Sequence, residues 1–162
     1  MRYLLLAAAA AVVLPLTHAL ADWAPSKWGM TPEQVIKVVP NAVAMPMKEN
    51  QILRGRHMLA EAPTSIGNYP VTARYYFSPT SRTLELVNLT MTDRPRCAAF
   101  RDMLVARYGA GERRDVDEVT PSGVPYVSTT IEWTNVGGDR GTYSDAHSPT
   151  VFGLCKLIVQ KR

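Results

Sequence analysis

Asp145-Ala146-His147-Ser148 places a carboxylate, an imidazole and a hydroxyl within four residues of chain. These are the groups that general-base activation of a nucleophile requires. His57 is the other histidine that counts, since His18 falls in a leader segment described below. Catalytic triads draw their members from distant segments, so that a rigid scaffold sets the geometry. Neighbours in a polar loop seldom reach one another in that way, and no Gly-x-Ser-x-Gly elbow accompanies this group. The expectation is therefore a solvated loop and no catalytic residue. The alternative is a small secreted hydrolase using His147 with Asp145 or His57.

Other chemistries find less to build on. A zinc site needs roughly three or four His, Cys or carboxylate ligands at useful spacing. Arg54 and Arg56 flank His57 and oppose a cation, while Asp145 and His147 supply only two ligands, so no metal is expected. Gly137-Gly138-Asp139-Arg140-Gly141 lacks the lysine and hydroxyl of a phosphate-binding loop and the helix that should follow. It reads as a turn, and no cofactor is expected. Among the aromatic residues, Trp28, Phe77 and Trp133 suit a core, whereas Trp23 and Tyr76 are the expected exposed partner contacts.

The elements that must hold these residues follow from pattern. Thr31, Pro32 and Gln34 form an N-cap, a first-turn proline and a capping-box partner, with Met30 and Val35 at the staple positions. The helix they start ends at Pro40-Asn41, too short to stand alone. Tyr69 to Phe77 alternates at strand period, with Tyr69, Val71, Ala73, Tyr75 and Phe77 on one side and Thr72, Arg74 and Tyr76 on the other. Ser78 to Ser81 turns the chain into a second strand over Thr83 to Met91, and a weaker strand precedes them near Ile52 to Glu61. A second helix runs from a cap at Asp93 to Gly109, with Cys97, Phe100, Leu104 and Tyr108 on one stripe. Glu112 to Glu118 is a charged stretch, Tyr126 to Trp133 a strand, Asn135 to Gly141 a glycine-rich loop and Thr142 to Pro149 irregular. Val151 to Gln160 is apolar enough for a central strand. The expected fold is α+β, an antiparallel sheet with two helices packed on one face. The order hints at two α-then-β halves divided near Asp93.

Two cysteines remain, Cys97 and Cys155, and an even count outside the cytosol favours one disulfide. That compartment comes from the start of the chain. Arg2, an uncharged apolar run to Leu14 and Ala19-Leu20-Ala21 have the order of a cleavable signal peptide, residues 1–21. A single domain, 22–162, follows, and nothing later is apolar enough to span a bilayer. The expected location is periplasmic or secreted. The remaining positive excess is mild and spread in pairs such as Arg113-Arg114 and Lys161-Arg162, so no nucleic-acid partner is expected.

The Gly29-Met30-Thr31-x-x-Gln34-Val35 segment resembles the opening of small exported bacterial α+β modules. The SmpA/OmlA outer-membrane assembly lipoproteins and the β-lactamase inhibitor protein have similar helix starts. The resemblance implies a periplasmic protein that binds other proteins and has no catalytic centre. This chain departs from the lipoproteins in having no lipid-acceptor cysteine after Ala21. The leading expectation is a non-enzymatic binding module whose partner is a periplasmic or envelope protein.

Overall fold

In a computed structural model, residues 25–148 and 153–162 are described. Residues 1–21, the expected signal peptide, and Trp23 lie outside them. Helix α1 spans Pro32–Val38 and is started as its sequence requires: Thr31 N–H donates to Gln34 Oε1 at 2.8 Å, and Gln34 N–H to Thr31 Oγ1 at 3.4 Å. Strands β1 (Val43–Ala44), β2 (Ile52–Leu53), β3 (Arg56–Ile66), β4 (Tyr69–Phe77) and β5 (Leu84–Met91) follow. A 3-10 turn, Arg94–Arg96, leads into α2, Cys97–Tyr108, and then come β6 (Glu112–Val119), β7 (Pro125–Val136), β8 (Asp139–His147) and β9 (Lys156–Gln160). Asp93 does not cap α2 through its side chain; it lies 3.9 Å from Arg96 and precedes the 3-10 turn.

All nine strands join one antiparallel sheet in the order β1-β3-β4-β5-β9-β8-β7-β6, with β2 also on β3. The fold is mixed α+β. Strand β5 closes the first α-then-β run, β9 closes the second, and the two pair at the centre from Leu86↔Gln160 to Thr90↔Lys156. Each run carries a long hairpin on a two-residue connection, Gly67-Asn68 in one and Gly137-Gly138 in the other.

The alternation in β4 holds: Val71, Ala73, Tyr75 and Phe77 are buried in the main core. Val35 and Val39, from α1 and its C-cap, share that cluster with Phe100 and Leu104 of α2 and Val87, Leu89, Leu157 and Val159 of the central strands. Phe77 and Trp133 are core residues, as expected, and Trp28 packs against the core while its indole N–H donates to Asp139 at 2.6 Å. Cys97 and Cys155 are joined, tying the start of α2 to the residue before β9.

Four segments differ from expectation. Of the strand expected over Val151 to Gln160, Lys156–Gln160 is one, Gly153 to Cys155 precede it, and positions 151–152 lie outside the described residues. Glu112 to Glu118 is an edge strand, and its charges have a use there, since charged side chains discourage another chain from adding to the edge. Thr142 to His147 is part of β8, paired with β7 throughout and with β9 as far as Ser144, so only Gly137-Gly138 of the glycine-rich stretch is a turn. The inward positions of β8 are Gly141, Tyr143 and Asp145, which carry no aliphatic signature of a strand. Tyr76 is buried at 7 % exposure. It points away from the main core, as its alternation requires, but into a second small cluster with Met58, Leu86 and Ile158, against which Met45 and Leu53 pack. It is therefore no exposed partner contact.

Candidate functional site

Because Asp145 and His147 stand two apart on β8, pleating turns both side chains to the same side of the sheet. The expected solvated loop is thus a strand end, and the two groups meet. His147 Nδ1 lies 3.4 Å from Asp145 Oδ1, the spacing of an ion pair when the imidazole is protonated. That oxygen has no hydrogen-bond partner among the described residues, although the Asp145 side chain is only 4 % exposed. The other oxygen is well held. It accepts from Tyr143 O–H at 2.6 Å and lies 3.8 Å from Arg101 Nη1. Tyr143 sits two residues earlier on the same side of β8, while Arg101 reaches over from α2. The Tyr143 hydroxyl also lies 3.1 Å from the carbonyl of Cys97. Burial raises its pKa strongly and the hydrogen bond to Asp145 raises it further, so the phenol stays a donor.

A second polar group continues the row. Thr129, opposite Asp145 on β7, donates from Oγ1 to Asp115 Oδ1 at 2.8 Å, and Arg113 Nε lies 3.0 and 3.1 Å from the two Asp115 oxygens. The Arg113 hydrogen bond, then that of Thr129, hold the Asp115 carboxyl below the usual carboxylate range.

Two cavities meet at His147 and Ser148. One, of about 240 Å³, lies between the start of α2 and the end of β8, with Arg94, Arg101, Asp145 and His147 in its wall. The other, of about 610 Å³, is walled by Val119, Pro125, Tyr126 and Val127, with Asp117 and Glu118 beside them. A third, of about 590 Å³, lies at the other end of β8, where Arg54 and Arg140 balance Glu112 and Glu132.

His57 is not brought to this site. It lies on β3, opposite Phe77 of β4 and four strands from β8, or about 19 Å at the usual strand spacing. Its Nδ1 is buried without a hydrogen-bond partner among the described residues, while Arg56 beside it is paired with Glu85 at 2.8 Å. Among the described residues no group of three or more His, Cys, Asp or Glu is placed to hold a metal ion. Sequence reasoning passed over Arg94, Arg101, Tyr143 and the Val119–Tyr126–Val127 wall. The period-two run Gly141, Tyr143, Asp145, His147 was the signal that could have found Tyr143.

The class of protein is thus an α+β chain on one continuous antiparallel sheet, with a two-chambered cleft where α2 meets the end of the β6–β8 strands. No protein family, curated protein or solved structure matches the chain.

Proposed function

We propose that this protein is a non-enzymatic binding module of the periplasm or the secreted fraction, working at the cleft that His147 divides. The observation that carries the proposal is the joining of a charged chamber to an apolar one along a shared wall. Ligand sites combine such an apolar lining with a few placed polar groups. In this reading Asp145 is structural: Tyr143 and Arg101 engage one oxygen, and the other steadies His147. Both helices cover one face of the sheet, and the two α-then-β halves meet at β5 and β9. The kinship with SmpA/OmlA-like or β-lactamase-inhibitor-like exported modules belongs to the same proposal. Two further observations agree with an exported protein: the Cys97–Cys155 disulfide, and the lack among the described residues of a helix long and apolar enough to cross a membrane.

The contact between Asp145 and His147 favours one second reading, a hydrolase with His147 as base and Asp145 as its orienting acid. The test is turnover of chromogenic ester, amide and phosphate substrates by the mature protein and by His147→Ala. The binding module predicts no turnover that depends on His147. Turnover lost in a folded His147→Ala variant would establish the hydrolase instead.

A further inference from the structure

The two chambers differ in the sign of their charge as well as in polarity. At the α2 end, Arg94, Arg101 and His147 line the chamber with one carboxylate, Asp145, while Arg101 is also paired with Asp102 at 3.3 Å. Arg94 is exposed, and its side chain makes no ion pair or hydrogen bond among the described residues, its carbonyl accepting from Cys97 N–H. The helix that begins there has no side-chain cap, so its positive end adds to the field. At the other end, Asp117 and Glu118 edge the chamber formed by Val119, Tyr126 and Val127. Tyr126 donates its hydroxyl proton to Glu118 on the other face of the strand pair, which leaves Asp117 as the acid on the Val127 side. A ligand crossing the cleft therefore meets cations at one end, the Asp117 carboxylate at the other and an apolar surface between them.

The pairing register gives the distance. Asp117 is opposite Val127, and Val127 is opposite His147, so all three side chains stand on one side of the sheet, in line across three strands. Two strand spacings amount to about 10 Å. An extended chain spans at most about 3.3–3.6 Å per residue, so about three residues cover that distance.

We infer that the cleft binds a short apolar peptide with free termini, about three residues long. Its carboxylate lies among Arg94, Arg101 and His147, and its ammonium group beside Asp117. The inference rests on the binding-module reading and adds the ligand class. It requires both termini to be charged and the middle side chain to be apolar, because Val127 lies under the centre of the span.

Titration calorimetry of the mature, oxidised protein with Ala-Leu-Val, its C-terminal amide and its N-acetyl form tests this. The free tripeptide is expected to bind. Amidation should weaken binding about tenfold or more, as the loss of a charge-assisted contact does, and acetylation severalfold. Arg94→Ala should weaken the free acid about tenfold and leave the amide unchanged, a coupling that a general loss of fold would not produce. Equal binding of acid and amide, or an equal loss for both in Arg94→Ala, would overturn the inference. Nile red, a neutral apolar probe, separates this from the reading beneath it. If Nile red binds and the tripeptide neither binds nor displaces it, the peptide assignment falls and the binding module stands. If neither binds, both fall.

Discussion

Reducing the Cys97–Cys155 bond perturbs the chain's entropy while leaving nearly the same side-chain volume in place. The bond closes a loop of 58 residues in sequence separation, for which the chain-entropy model gives about 4 kcal/mol of stabilisation. Unfolding entropy near the transition is about 2.1 cal/mol/K per residue, or about 0.3 kcal/mol/K for a domain of this length. The melting temperature should therefore fall by about 14 °C on reduction. Calorimetry of the oxidised protein and of protein held reduced, with thiols counted in denaturant, measures it. The effect should extend to the cleft, since Cys97 lines the charged chamber and its carbonyl lies 3.1 Å from the Tyr143 hydroxyl. A fall of less than about 4 °C with two thiols demonstrably free would refute the reasoning. It would mean that the unfolded chain keeps α2 near β9 without the bond.

Tyr143→Phe removes the hydroxyl that donates to the buried Asp145 carboxylate, and should cost about 1.5–3 kcal/mol in urea denaturation, with the larger change in the unfolding rate if the contact forms late. Trp28→Phe removes the indole donor to Asp139, itself 9 % exposed, and should cost a similar amount by the same assay. Gly111 has φ +66°, and a Cβ there would come within 2.7 Å of Ile131 Cγ2 and 2.8 Å of the Glu132 carbonyl, so Gly111→Ala should destabilise by about 2 kcal/mol or more. Asp115 has a folded pKa below its unfolded one. Its stabilising contribution is present above the unfolded pKa and is lost as pH falls through the folded one, so carbon-detected titration should place its midpoint below the usual carboxylate range, with Thr129→Val moving it upward.

Local chemistry accounts for what was legible. The Thr31–Gln34 capping box, the β4 alternation from Val71 to Phe77 and the apolar stripe of α2 each arise from residues a few positions apart, and each forms as its pattern predicts. The disulfide was legible too, because a cysteine on an apolar helix stripe and another beside a buried strand point into one shared core. The second half was harder to read for one reason. Along β6 the exposed charges carry no apolar period, and along β8 the inward positions hold a glycine, a phenol and an acid in place of aliphatic residues.

Residue order by itself determined the Thr31 cap, the turn after β4 and the main alternations, because each depends on bonding or packing within a short span, and it pointed to the cysteine pair because only two cysteines are present. Tertiary structure decided whether particular side chains see water. Tyr76 points away from the main core as its position demands, yet Met45 and Leu53 cover it, and a cover supplied by distant chain leaves no mark in the local pattern. Asp145 and His147 are a polar pair in sequence. They become a partly enclosed site because α2 brings Arg101 over one end of β8 while β6 and β7 build an apolar wall beside it. That juxtaposition depends on the sheet order, which joins strands remote in the chain.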